Sequence, residues 1–221
     1  LFGLFGYVDQ NQQGIIHTFF PKTLIEMGRR ELPKGAHEQA IELDKNELPY
    51  EISKEAKEQI ISELRRTNWN RYPSPYYPEI ESYLANYSNV KESNVVMGIG
   101  AAQLINMLFN LFARKNLIIT HPSFSLFEFL CKAYGIRYQH WKLNTNFEYD
   151  PSNLPTISKE SVIILASPNN PTGTMISKDL LRSLLEKYPT TLFIIDEVYS
   201  EFSQLTNKEL LKEHSNLILV R

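Results

Sequence analysis

Cysteine is almost missing from this 221-residue chain, in which Cys131 stands alone. One thiol excludes an internal disulfide and accords with a reducing compartment. An excess of one charge sign is missing too. The chain carries 23 Lys and Arg against 25 Asp and Glu, a formal net charge of −2. That balance gives no electrostatic case for nucleic acid or an anionic membrane as partner. No apolar run approaches the roughly 20 residues of a membrane-spanning helix. Leu1–Tyr7 is apolar, but Asp9 and the Gln/Asn cluster at 10–13 interrupt it. No basic segment precedes it, so it does not read as a signal peptide. The five histidines (His17, His37, His121, His140 and His214) show no metal-ligand spacing, and no metal is expected. Repeats and low-complexity tracts are lacking. At 43% hydrophobic and 22% charged residues, the composition is that of an ordinary globular protein, and the expected location is cytoplasmic. The first residue is Leu, so the N-terminus reads as incomplete.

What is present centres on residues 161–199. Two short apolar runs, Val162–Ala166 and Leu192–Ile195, each lead straight into polar residues. Buried parallel strands read this way, because helices cover both faces of their sheet. Between them Leu180, Leu181, Leu184 and Leu185 form a helical stripe within Lys178–Lys187. Strand, helix and strand make a right-handed crossover, whose ligands bind beyond the carboxyl ends of the strands. Asn169, Asn170 and Thr172 follow the first strand there, and Asp196 and Tyr199 follow the second. An acid after four apolar residues is partly desolvated and needs a partner. A protonated ring nitrogen would serve, the ion pair favouring the carboxylate and the cationic ring together.

With these residues the chain resembles the fold type I pyridoxal-phosphate aminotransferases (class I/II), and the histidinol-phosphate aminotransferase branch in particular. Asn-Pro-Thr-Gly at 170–173 and Asp-Glu-Val-Tyr at 196–199 match two of that family's motifs, at about its spacing. The first motif alone would be a plausible turn. The resemblance implies an α/β three-layer sandwich around a mostly parallel sheet, the incomplete major domain of that fold, with an N-terminal arm from the small domain. The corresponding division is an arm at residues 1–50 and a partial cofactor-binding domain at 51–221. It also implies pyridoxal 5′-phosphate as cofactor, an amino donor and a 2-oxo acid acceptor as substrates, and a homodimer.

In chain order, Phe19-Phe20-Pro21 and a helix-like Lys22–Arg30 precede the alternating segment Ile41–Tyr50, which reads as a short edge strand turning at Pro49. The resemblance puts Asn46 near the substrate; a plain turn is the other reading. Ser53 is a good N-cap for a helix with Ala56, Ile60, Ile61 and Leu64 on one face. The Arg-Tyr-Pro of residues 71–73 cannot continue a helix. In the family the tyrosine reaches the cofactor phosphate of the partner subunit, which falls here on Tyr72; the other reading is an aromatic packed on proline. A helix over Glu79–Tyr87 and a strand over Asn94–Met97 follow. Gly98-Ile99-Gly100-Ala101-Ala102-Gln103 then opens an apolar helix through Ala113. Small residues between a strand and a helix let backbone N–H groups hold a phosphate, and equally let helix and strand pack tightly. By resemblance Gly100, Ala101 and Ala102 form the phosphate cup. The family often has an acidic or hydroxyl residue where Ala102 stands and usually Glu where Gln103 stands, so a side-chain contact is expected to be missing, leaving mostly backbone donors. As a dinucleotide fingerprint the segment fails, because Gln103 replaces the third glycine.

Further on, a strand over Asn116–Thr120 leads to Phe124, which by resemblance stacks on the cofactor ring; a core phenylalanine is the alternative. A helix over Ser125–Tyr134 with Gly135 as C-cap, a strand over Ile136–Lys142 and a polar connection lead back to Val162. After Tyr199 come a short helix, Lys208–His214, and a last strand, Asn216–Val220. The resemblance gives Asp196 the role of keeping the ring nitrogen protonated, and Asn170 and Tyr199 that of binding the ring's 3′ oxygen. The family's Schiff-base lysine follows such a last strand in a Ser/Thr-x-Ser-Lys segment. None of Lys178, Lys187, Lys208 or Lys212 stands in one, so the chain reads as an N-terminal fragment that ends before that lysine. Three functions follow: transamination of an amino acid or amino-phosphate such as histidinol phosphate, decarboxylation or lyase chemistry on the same fold (as in threonine-phosphate decarboxylases), and a non-catalytic remnant. A nucleotide-binding α/β domain is a distant fourth.

Overall fold

The computed structural model describes residues 46–72, 74 and 76–221. The expected arm before residue 46, including Phe19-Phe20-Pro21, Lys22–Arg30 and most of the expected edge strand Ile41–Tyr50, lies outside them. The described residues fall into two units, 46–77 and 78–221.

Residues 46–77 hold one helix, α1 (Lys54–Arg66). Ser53 caps it, its Oγ accepting from the Ala56 N–H at 3.2 Å, which satisfies one of the orphan donors of the first turn. Ile60, Ile61 and Leu64 are exposed on it.

Residues 78–221 hold a five-stranded sheet: β1 (Leu117–His121), β2 (Tyr138–Lys142), β3 (Val162–Ala166), β4 (Leu192–Asp196) and β5 (Leu217–Val220). The spatial order is β2-β1-β3-β4-β5, and every pairing is parallel. Pleating sends alternate side chains to opposite faces, and here both faces are apolar. Ile118, Ile163, Leu165, Phe193, Ile195 and Leu217 face one core, with Leu181, Leu184 and Leu185 of α5 (Lys178–Lys187). Leu117, Ile119, Val162, Ile164, Ile194 and Val220 face the other. That side is covered by Ile105 and Phe109 of α3 (Ala101–Leu111) and by Phe127, Leu130 and Cys131 of α4 (Ser125–Ala133). This is the expected α/β sandwich.

The elements sit close to where the hydrophobic periodicity places them. β3 and α5 match residue for residue. α2 (Pro78–Ser88) replaces the expected Glu79–Tyr87 within a residue or two. Gly135 (φ 63°) ends α4, with the Ile136 N–H bonded to the Cys131 carbonyl at 2.8 Å and the Gly135 N–H to that of Lys132 at 3.3 Å, a Schellman closure. One expected strand is corrected. Asn94–Met97 is not a strand: a 3₁₀ turn occupies Glu92–Asn94, and the extended residues beyond it pair with no strand among those described, with Val96 75% exposed. The expected helix Lys208–His214 is a 3₁₀ turn over Lys208–Lys212. No helix among the described residues is long and apolar enough to cross a membrane. Cys131 is fully buried. Burial first, and then Glu128, push its thiol up to about 12, which makes it an inert core residue.

Leu181 is completely buried beneath the sheet. Leu181→Ala is expected to cost about 2–5 kcal/mol through lost burial and a residual cavity, measured by denaturant unfolding. Glu186→Ala on the exposed face of the same helix should stay within about 0.5 kcal/mol.

Candidate active site

The strand order reverses between β1 and β3, since the chain first adds β2 on one side of β1 and then builds β3, β4 and β5 on the other. At such a switch point the loops leaving neighbouring strands diverge and open a crevice at the carboxyl edge. The segments after β1, β3 and β4 share that edge, with Ala166 in register with Asp196.

Asn169, only 2% exposed, ties two of these segments together. Its Oδ1 accepts from Ser123 Oγ at 2.6 Å. Its Nδ2 donates to the Pro122 carbonyl at 3.0 Å and to Thr172 Oγ1 at 2.8 Å. The Asn169 N–H donates to the Thr174 carbonyl at 2.8 Å, and the Gly173 N–H to the Asn169 carbonyl at 2.7 Å. Gly173 takes φ 71°, where a side chain would be strained. The peptides before Pro122, Pro168 and Pro171 are cis. Asn170, next along, is half-buried and its side chain makes no hydrogen bond to the described residues.

After β4 two adjacent acids are buried in different ways. Glu197 is fully buried and fully partnered. Its carboxylate accepts from Thr206 Oγ1 at 2.6 Å, from the Asn207 N–H at 2.6 Å and from Asn207 Nδ2 at 2.9 Å. Arg221 Nε lies 3.8 Å away. Arg221 also donates to Ser200 Oγ at 2.8 Å and to Glu201 at 2.7 Å, and its guanidinium lies 5.4 Å from the centre of the Tyr87 ring. Asp196, 6% exposed, accepts from the Val198 N–H at 3.1 Å. It forms no salt bridge among the described residues. Desolvation raises its carboxyl above the ordinary 3.8, and the Val198 N–H offsets only part of that.

Around Asp196, Tyr199 is half-buried and leads into the short helix α6 (Ser200–Ser203). Phe124 is half-buried before α4, edge-on to Phe127 at 5.8 Å and 77°. α3 feeds β1 at the sheet's amino edge through residues 112–116, so its first turn points back toward the carboxyl edge. Gly100, at φ 77°, caps that turn, and a Cβ at Gly98 would lie 2.6 Å from Leu104. The first N–H groups of a helix have no intrahelical acceptor, which leaves those of Ala101 and Ala102 as donors. Gln103 is not idle: its Oε1 accepts from the Ile99 N–H, much as an N3 glutamine does in a capping box.

The sheet thus brings the segments carrying Phe124, Asn170, Asp196 and Tyr199 to one edge, with Gly100, Ala101 and Ala102 at the mouth of α3. Asn46 (φ 55°) and a completely exposed Tyr72 belong to residues 46–77. Asn169 was placed at this edge by the sequence but given no role, whereas Ser123, Glu197 and Arg221 went unassigned, and nothing local marks them.

A crevice at the switch point of an open parallel sheet marks the chain as an α/β protein of the ligand-binding kind, and comparison with known proteins narrows that class. Residues 38–221 match the family model for aminotransferase class I and II, and the chain belongs to that family. A curated histidinol-phosphate aminotransferase of Pyrococcus furiosus is 35% identical over 180 residues, covering 81% of this chain and 53% of the relative. The crystal structure of the histidinol-phosphate aminotransferase of Clostridium acetobutylicum superposes with a TM-score of 0.66 at 26% identity, over 75% of this chain and 50% of that one. L-threonine-O-3-phosphate decarboxylase of Porphyromonas gingivalis shares the fold, with a TM-score of 0.64 at 21% identity, over 75% and 49%. The chain spans about half the length of the curated relatives it matches.

Because the folded pKa of Asp196 is raised, the folded state holds its proton more tightly than the unfolded chain does. The group therefore costs nothing below the ordinary 3.8 and costs stability as pH rises through its folded pKa. Without cofactor, Asp196→Asn is expected to raise the melting temperature at pH 7 and to leave it unchanged at the acid end. Thermal unfolding of both proteins across this range, compared at each pH, checks the sign.

Proposed function

We propose that the protein is a pyridoxal-phosphate-dependent transaminase acting on an amino acid or amino-phosphate such as histidinol phosphate, with a 2-oxo acid as amino acceptor. The observation that carries this reading is Asp196: a desolvated carboxylate with one backbone donor, at the switch-point edge of a chain in this family. The named relatives support the choice of substrate.

The residues fit the cofactor in three places. Asp196 has no cationic partner among the described residues, and a ring N–H⁺ supplies one; the pairing stabilises both charges. The start of α3 presents unpaired N–H groups and the positive end of a helix dipole to a phosphate, with Gly100 keeping the approach clear. The half-buried Phe124 offers an aromatic face, worth roughly 1 kcal/mol against a ring beyond burial alone. Bound pyridoxal phosphate supplies an electron-accepting ring. Within it Asp196 holds a proton at the ring nitrogen. Asn170 and Tyr199 donate to the 3′ oxygen, and the Asn169 network fixes the loop that carries Asn170. Ala101 and Ala102, with Gly100, bind the phosphate. Asn46 is assigned to the substrate and Tyr72 to the phosphate of a second subunit in a homodimer; its complete exposure in one copy accords with that role.

The decarboxylase reading keeps the same ring contacts, and the shared fold favours it over any non-enzymatic one. The whole protein should convert the amino donor to its oxo product and the 2-oxo acceptor to an amino acid, with no carbon dioxide released; the opposite result selects the decarboxylase. Asp196→Ala should lower turnover by several powers of ten, each worth about 1.4 kcal/mol in the barrier, while some cofactor remains bound. Near-normal turnover in that variant would refute the assignment.

A further inference from the structure

The structure brings together two histidines that stand nineteen positions apart in the sequence, and we propose that His121, His140 and Glu128 form a binding site for a divalent transition metal of the zinc class. His140 lies opposite Ile119 in the β1–β2 ladder. His121 is two residues past Ile119, so the two imidazoles share one face of the sheet as diagonal neighbours. Their ring centres are 4.5 Å apart at an interplanar angle of 30°. Glu128 comes down from α4 onto the same face, its Oε2 3.9 Å from His140 Nε2. One donor atom from each residue lies within 4.8 Å of the other two.

A second, independent observation points to a ligand. His140 Nε2 is sealed from solvent and has no hydrogen-bond partner among the described residues. A buried polar nitrogen in that state is costly, and a metal ion is one species that would satisfy it together with the neighbouring carboxylate. The carboxylate is already oriented for this. Its other oxygen, Oε1, is held by Lys132 Nζ at 2.8 Å and by the Tyr138 hydroxyl at 3.2 Å. Oε2 is thereby left toward His140, as an outer shell orients a metal-binding carboxylate. Two imidazoles and one carboxylate are a zinc-type set that keeps a coordination position for water, and they suit zinc or cobalt better than magnesium or calcium. Bonds of about 2 Å put tetrahedral ligands roughly 3.4 Å apart, so the cluster closes by small side-chain rotations, chiefly of the exposed His121. An ion here would clip the edge strand β2 to the end of β1 and to α4, one residue before Pro122.

The test uses the untagged chain without added cofactor, titrated with Co²⁺ and followed by its visible absorption, then with Zn²⁺ by calorimetry. The expected result is one saturable site per chain. It should be lost in His140→Ala and in His121→Ala, whose position is exposed, and weakened about tenfold in Tyr138→Phe, which removes a group orienting Glu128. His214→Ala should leave it intact. No saturable binding, or binding that survives both histidine substitutions, overturns the site.

Discussion

A parallel sheet covered by helices on both faces has no wet side, and that constraint governs the rest of this structure. Every side chain along β3 is buried, so polar chemistry cannot sit within that strand. It collects where the strands stop. The carboxyl edge of β1, β3 and β4 holds Ser123, Asn169, Asn170, Asp196, Glu197 and Tyr199 within a few residues of the last apolar position. The reversal of strand order at β1 and β3 makes the gap there. The Asn169 side chain then spans the two loops that border it, with bonds of 2.6–3.0 Å.

The same desolvation acts on two adjacent acids with opposite outcomes. Glu197 has three hydrogen-bond donors and an arginine, so its buried charge is compensated and it serves as an anchor for the turn after β4. Asp196 has one donor and a raised pKa. Burying a charge is tolerated when it is paired and hydrogen-bonded, and is expensive otherwise. A chain that provides so fully for one carboxylate and so little for its neighbour leaves the second for something that arrives with its own positive charge. The proposed cofactor does, and the N–H groups at the start of α3 would serve as separate donors to its negatively charged phosphate.

The sheet and both flanking layers were legible in the sequence, because parallel strands and amphipathic helices are local signals. Val162–Ala166 and Lys178–Lys187 need no tertiary information. The positions of Asp196 and Asn170 at the strand ends were legible as well, the first directly after the run Leu192–Ile195 and the second four residues past Ala166. What escaped was the set of contacts between loops. Ser123 meets Asn169 across 46 positions, and Tyr149 reaches the Ala166 carbonyl across 17, at 2.6 Å. Asn94–Met97 failed for the opposite reason. Its residues favour extended backbone, but a strand requires a partner, and no local pattern records whether one is present.

The histidines carry the same lesson further. Reading them by spacing asks whether two ligands lie on one helical face or one tight loop, and His121 and His140 fail that criterion. A parallel pair of strands joined by a helix has a different periodicity. The crossover β1–α4–β2 sets residues about twenty positions apart side by side, and the connecting helix lays its own residues over the same face. Trp141, next to His140, points the other way into the core beneath Tyr149. The alternation that buries the tryptophan is what turns His140 toward His121 and Glu128. The edge strand is therefore held by a large aromatic on one face, and its other face gathers His121, His140 and Glu128, with a His140 nitrogen that no group among the described residues satisfies.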